Sequence, residues 1–173
     1  MMEADRSTGV LFVCMGNICR SPTAEGVFLK LQREQAPQLN LRIESAGTHA
    51  YHVGEPPDER AILTAQAHGI DISQHRGRVV TRADFAAFDY ILAMDRTNLA
   101  RLQQQRPQAA RARLHLLLEF AGSGASDEVP DPYYGGVDGF ERVLQLITRG
   151  AAGLLQTLRD AENQSLPRIH TGK

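Results

Sequence analysis

Cys14, Arg20 and Ser21 stand within eight residues, Cys14-Met15-Gly16-Asn17-Ile18-Cys19-Arg20-Ser21, directly after the apolar run Val10-Leu11-Phe12-Val13. A thiol, a guanidinium and a hydroxyl at this spacing suit phosphoryl transfer. The thiolate is the nucleophilic form of cysteine, and the planar fork of arginine matches two oxygens of a phosphate. Gly16 and Asn17 tolerate positive φ, so the loop can curl and turn the backbone N–H groups of Met15, Gly16, Asn17, Ile18, Cys19 and Arg20 inward around an anion. Those N–H groups, the Arg20 charge and the Ser21 hydroxyl all favour thiolate over thiol at Cys14. A cradle for a phosphate dianion with a nucleophile at its base lets the cysteine itself accept the phosphoryl group. This chemistry calls for no metal and no cofactor.

The elements around these residues are what such a site needs. The apolar run reads as a buried strand, and Pro22 reads as the first helical residue with Ser21 as N-cap. An apolar stripe at Ala24, Val27, Phe28 and Leu31 comes next, so the helix N-terminus points its dipole into the loop. Taken alone, a cysteine ending a buried strand is an ordinary core residue; the strand, the loop and the helix together make it a site. Leu41 to Gly47 reads as a second strand, parallel to the first in a βαβ unit. Its end lies beside the cradle, where Ser45 can reach Asn17. Glu59 to His68 reads as a helix closed by Gly69, and Thr81 to Phe88 as a capped short helix. Tyr90 to Met94 reads as a central strand, Arg96 to Gln105 as a helix, and Leu114 to Leu118 as the fourth strand. A long apolar face from Phe140 to Leu158 marks the last helix, which Gly150 and Gly153 weaken. Strands alternating with helices imply a three-layer α/β sandwich around a parallel sheet of about four strands, with ligands at the strands' carboxyl ends.

Expelling an aryl oxygen from phosphorus needs a proton delivered to it, and the same group can then activate water. In the loop from Gly122 to Gly136 three carboxylates compete, Asp127, Glu128 and Asp131. Asp131 is preferred because Pro132 stiffens the chain just after it, and Tyr133 and Tyr134 can wall a slot for an aromatic leaving group.

Val13-Cys14-x5-Arg20-Ser21-Pro22 closely resembles the signature of the low-molecular-weight protein tyrosine phosphatases, and Asp131-Pro132-Tyr133-Tyr134 resembles that family's general-acid loop. The matching motifs run from about Val10 to Phe140. The resemblance implies strand order 2-1-3-4, helices on both faces of the sheet, and hydrolysis of phosphotyrosine and aryl phosphomonoesters through a phosphocysteine. It selects Asp131 as acid and then base, joins Asn17, Ser45 and His75 in one hydrogen-bond network, and places Tyr51 at the slot. Asp95 and Asn98 match its Asp-x-x-Asn segment and are read as structural. The implied partner is a phosphotyrosine protein.

An arsenate reductase on the same fold is the nearest rival, but its relay uses further cysteines and this sequence has Cys14 and Cys19 alone. A phosphotyrosine-binding module would need neither nucleophile nor acid. A redox sensor built on Cys14 and Cys19 is a third class, and it is compatible with catalysis.

The 173 residues suit one domain, taken as 8–160 with flexible termini at 1–7 and 161–173, able to bury roughly 70% of its unfolded surface. Nineteen basic against twenty acidic side chains give a formal net charge of −1, which points to neither nucleic acid nor an anionic membrane as partner. The start lacks the basic and apolar segments of a secretory signal, no run approaches a membrane span, and two cysteines suit a reducing compartment. The expectation is a cytoplasmic protein.

Overall fold

The apolar run before Cys14 forms β1 (Thr8–Cys14), buried on both faces from Gly9 onward. Because it lies inside a parallel sheet with layers above and below, it shows no polar alternation. In the computed structural model, which describes residues 6–124 and 126–166, β1 pairs in parallel with β2 (Leu41–Gly47) and with β3 (Tyr90–Ala93), and β3 pairs with β4 (Arg113–Leu116). The sheet order is β2-β1-β3-β4, as expected. Cys14 stands opposite Gly47, so both strands end at one level and the loops that leave them meet.

Alternate residues of β1 feed two cores. Val10, Phe12 and Cys14 face α1 (Arg20–Gln35), α2 (Glu59–Ala67) and the last helix, while Leu11 and Val13 face the layer of α3 (Asp84–Ala87) and α4 (Arg96–Gln105). The last helix, α5 (Val137–Ser165), contributes its whole apolar face from Phe140 to Leu158. Phe12 and Phe28 meet edge to face with centroids 5.4 Å apart, fixing α1 against the strand that delivers Cys14. Burying each such side chain contributes about 1.5–3 kcal/mol.

Three local expectations are corrected. Helix α1 begins at Arg20 with Cys19 as N-cap, so Ser21 lies inside the first turn and its hydroxyl is free to face the loop. Pro22 is then the third helical residue, where its missing N–H is still one of the four without an intrahelical partner. The fourth strand ends at Leu116 instead of Leu118: Leu117–Phe120 form a 3₁₀ turn, and Glu119 Oε1 accepts from the Leu116 N–H. The third concerns the expected terminus from 161, because α5 runs on through Ser165. It stops where Leu166 is extended, as the residue before a proline prefers. Residues 1–5 and 167–173 lie outside the described residues.

Gly150 and Gly153 are contact points, not merely weak links. A Cβ on Gly150 would lie 2.9 Å from Leu117 Cγ, and one on Gly153 only 1.7 Å from the Phe120 carbonyl oxygen. The 3₁₀ turn packs backbone to backbone on α5 there. Gly153→Ala is therefore expected to lower stability in urea by at least about 2 kcal/mol through overpacking, whereas Gly139→Ala, inside the first turn of α5 with its nearest neighbour at an ordinary 3.7 Å, should not lower it.

Candidate active site

The chain leaves β1 and turns back at once. Thr48 N–H bonds the Cys14 carbonyl at 2.9 Å and His49 N–H the Met15 carbonyl at 3.0 Å, clamping the loop to the end of β2. Gly47 allows this approach, since a Cβ there would sit 2.7 Å from the Met15 oxygen. Cys14 lies at the base of the loop, 3% exposed. Its Sγ accepts from the Asn17 N–H at 3.3 Å and lies 3.0 Å from Ser21 Oγ.

Asn17 is the bend, at φ +57°, the only non-glycine residue with positive φ among those described. Gly16, expected to share that role, does not; its bare Cα instead lets His52 approach, with Cδ2 3.0 Å from where a Cβ would be. The Asn17 carboxamide holds the bend. Its Oδ1 accepts from the Arg78 N–H at 3.0 Å, and a backbone N–H can only donate, so the amide orientation is settled. Nδ2 therefore donates to Ser21 Oγ at 2.8 Å and Ser45 Oγ at 3.1 Å. His75 Nε2 must donate to the same Oδ1, at 3.0 Å. Glu25 closes the network, accepting from Ser45 Oγ at 2.6 Å and standing 3.3 Å from His75 Nδ1.

Arg20 is also 3% exposed, and its charge is met on several sides. Nη1 donates to Asp95 Oδ2 at 2.6 Å and to the Val129 carbonyl at 3.0 Å; Nη2 faces Asp131 Oδ2 at 3.5 Å. Burial works against the guanidinium charge, yet Cys14, Asp95 and Asp131 together hold its pKa above the ordinary value. Asp95 serves twice, because its Oδ1 also caps α4 through the Asn98 N–H. Asn98 itself is buried, its Oδ1 without a partner among the described residues. Cys19 is raised as well, but there the effect favours the neutral form: burial first, then Asp58, Cys14 and Asp131, push its thiol far up against the pull of Arg60.

Cys14, Met15, Gly16, Ile18, Cys19 and Arg20 line a cavity of about 140 Å³ whose walls are completed by Tyr51, His52, Asp131, Tyr133 and Tyr134. All the residues expected at the nucleophile, acid and slot meet in this one cavity, with Asn17, Ser21, Ser45 and His75 beneath it. Tyr133 and Tyr134 meet edge to face, and Tyr134 is 91% exposed, so it is a rim residue and not loop packing. Tyr51 stacks on His49 with centroids 5.4 Å apart. Asp127 and Glu128 point elsewhere, both to Arg96 at the start of α4.

Four contributors escape a reading of the sequence: Glu25, His52, Arg60 and Arg78. Each acts on the site across 20 or more positions or through its backbone, so no local pattern announces it. Arg60 has the nearest thing to a signal, since Asp58 caps α2 and pairs with it. Among the described residues no three His, Cys, Asp or Glu side chains are grouped as metal ligands.

A parallel α/β sheet with a cysteine–arginine anion loop at the carboxyl end of its first strand, faced by an aspartate, defines a phosphate-handling enzyme fold. The family model of the low molecular weight phosphotyrosine protein phosphatases matches residues 9–164. This chain belongs to that family. It is 46% identical over 144 residues to the Schizosaccharomyces pombe low molecular weight phosphotyrosine protein phosphatase, covering 80% of this chain and 89% of the relative. The crystal structure of an Entamoeba histolytica protein tyrosine phosphatase with Hepes in its active site superposes with a TM-score of 0.85 at 36% identity, over 90% of this chain and 99% of that one. The Drosophila arginine phosphatase superposes with a TM-score of 0.81 at 32% identity, over 87% and 97%.

Replacing Asn17 separates its two duties. Asn17→Ala loses the four side-chain hydrogen bonds and leaves a Cβ at positive φ, which alone costs roughly 1–2 kcal/mol. Asn17→Gly loses the same bonds without that strain. Urea midpoints are expected in the order wild type, Asn17→Gly, Asn17→Ala; equal midpoints for the two variants would show that the bend carries no strain.

Proposed function

We propose that this chain hydrolyses phosphotyrosine on protein substrates, and aryl phosphomonoesters generally, through a phosphocysteine, with Cys14 as nucleophile and Asp131 as general acid and base. The supporting observation is the shared cavity: Cys14 at its base, Arg20 at its side, Asp131 at its mouth and three tyrosines around the rim. The Cys14 thiolate attacks phosphorus and forms the S–P bond as the P–O bond to the aryl group breaks, while Asp131 gives its proton to the departing oxygen. Arg20 Nη2 and the backbone N–H groups of the loop receive the phosphoryl oxygens, and Ser21 donates to the sulfur. Asp131, now a carboxylate, takes a proton from water whose oxygen attacks phosphorus; the S–P bond breaks, phosphate leaves and the thiolate returns.

The same fold carries an enzyme named as an arginine phosphatase, so the fold alone does not select the leaving group. Tyr51, Tyr133 and Tyr134 do: a rim of aromatic side chains suits a planar ring better than a guanidine on a flexible stem. An arsenate reductase relay lacks its further cysteines here. Two unpaired thiols suit a reducing, cytoplasmic setting, and no helix among the described residues is long and apolar enough to cross a membrane. Cys19 also sits on the cradle beside Cys14, so this reading includes redox control: a sulfenic acid on Cys14 and the Cys19 thiol condense to a disulfide and release water.

The test is hydrolysis of phosphotyrosine peptide and phosphoarginine in the presence of a chelator. Turnover of the first and not the second, abolished in Cys14→Ser while phosphate binding persists, is expected; residual turnover in Cys14→Ser would sink the covalent route. Asp131→Asn should lower kcat/KM for phenyl phosphate by ~10²–10⁴-fold and for a nitrophenyl ester by much less. Equal losses would reassign Asp131 to a structural role.

For the redox reading, peroxide-treated wild type is expected to recover with thiol reductant and Cys19→Ser to remain inactive, its Cys14 carried on to sulfinic acid. Equal recovery, with no peptide joining Cys14 to Cys19 by mass spectrometry, would remove Cys19 from that role.

A further inference from the structure

The segment that carries Asp131 is held on its far side by one side chain from another element. Arg60, in the first turn of α2, donates from Nη2 to the Tyr133 carbonyl at 2.9 Å and from Nη1 to the Gly135 carbonyl at 3.1 Å. The guanidinium is itself braced. Nε and Nη2 bond the two oxygens of Asp58 at 3.0 and 2.9 Å, and its plane lies over the Phe140 ring of α5, 4.6 Å from the centroid. Arg60 thus joins the start of α2, the acid loop and the first turn of α5. On the near side of Asp131 the loop is fixed differently, with Val129 N–H on the Met94 carbonyl at 2.8 Å and Val129 carbonyl on Arg20. After Asp131 come Pro132, two exposed tyrosines and the pair Gly135-Gly136, a stretch with no strand pairing and no buried side chain of its own except Pro132.

We propose that Arg60 is a positioning residue for the general acid: its bonds to the Tyr133 and Gly135 carbonyls set where Asp131 meets the leaving-group oxygen. The proposal rests on the reading of Asp131 as that acid. Several features separate this role from plain stabilisation. The Arg60 side chain is 34% exposed, and an ion pair in such a place contributes little to folding, so its pair with Asp58 is a small term in stability. Its two acceptors are backbone carbonyls that bracket Tyr134, so its pull is on the path of the loop and not on one side chain. Asp131 also takes the Tyr133 N–H on Oδ1 at 3.1 Å, so a shift of Tyr133 is passed directly to the carboxylate. Misplacing a proton donor by about 1 Å can cost as much as ~10²-fold in rate. Lysine could not replace Arg60, because a single ammonium cannot bridge two carbonyls and hold both Asp58 oxygens.

The experiment compares phenyl phosphate, whose leaving group needs a proton, with 2,4-dinitrophenyl phosphate, whose leaving group does not. Arg60→Met keeps an apolar stem over Phe140 and removes every donor. It is expected to lower kcat/KM for phenyl phosphate about 10-fold and for the dinitrophenyl ester less than about 2-fold, with little change in melting temperature. In an Asp131→Asn background the same change should add less than about 2-fold on phenyl phosphate, because two residues acting through one proton are not additive. Asp58→Asn keeps the α2 cap and loosens the brace, and should repeat the selective loss at about 3-fold. Equal loss on both substrates, no loss on either, or a full loss of about 10-fold persisting in Asp131→Asn would overturn the proposal. If Asp131→Asn alone shows no leaving-group dependence, the acid assignment falls and this proposal with it; an intact Asp131 signature beside an indifferent Arg60→Met overturns this proposal alone.

Discussion

One carboxamide keeps the loop from Cys14 to Arg20 in shape. A loop that curls its N–H groups inward leaves its carbonyls outward and forces a residue into the left-handed region, and neither condition is stable without outside support. The N–H groups of Thr48, His49 and Asp58 meet the carbonyls of Cys14, Met15 and Ile18, and the Asn17 carboxamide holds the bend. The Asn17 side chain fills all four of its hydrogen-bonding positions with Ser21 from α1, Ser45 from β2, and His75 and the Arg78 backbone from the segment after α2. Three separate stretches of chain are thereby tied to the residue that bends. The same bonds orient Ser21 toward Cys14 Sγ, so the loop's curvature and the environment of the Cys14 thiol are set by one group. Gly47 completes the arrangement by letting β2 lie against the Met15 carbonyl.

How much of this is legible along the chain depends on the range over which each interaction acts. Cys14, Arg20 and Ser21 are neighbours on a strand, a loop and a helix in direct succession, so their types and spacing carry the site directly. Strand order is different: periodicity finds four strands but cannot say that β3 lies beside β1, and the order 2-1-3-4 comes from the family resemblance. The stretch Leu114 to Leu118 shows a sharper limit. Five residues with four leucines read equally as a strand or as a strand and a buried turn, and what decides is α5, whose Gly150 and Gly153 bring its backbone against Leu117 and Phe120 from more than 30 positions away. Ser-Pro after Arg20 has the pattern of an N-cap and first helical residue, but Ser21 is worth more to the cradle than to a cap. Arg60 looks like any surface arginine of a helix until the chain brings Tyr133 and Gly135 to it.

Composition describes the stretch from Gly122 to Gly136 as a loose loop, and its hydrogen bonds describe something firmer. Three arginines hold it from three elements: Arg96 takes Asp127 and Glu128, Arg20 takes the Val129 carbonyl, and Arg60 takes the carbonyls of Tyr133 and Gly135. Two of the three carboxylates that compete for the role of acid are thus spent on anchoring. Asp131, 34% exposed, remains at the slot with its carboxylate between Arg20 and the rim tyrosines.

Arg20 links the two halves of the site through the cost of its own burial. An uncompensated guanidinium inside the protein would be destabilising by several kcal/mol, so its position requires fixed partners. Asp95 is the first, and it is held in turn because its other oxygen caps α4. The Val129 carbonyl is the second, which places the acid loop on the same cation that faces the cradle. Nη1 is thereby fully engaged in structure, and Nη2 is the edge turned toward Asp131 and the cavity. A phosphoryl group that took Nη2 would meet a guanidinium already locked in orientation by groups it does not touch, and the acid loop would be aligned to that group by the same lock. In the proposed mechanism, the charge that recognises phosphate and the backbone that carries the proton donor therefore share one buried anchor.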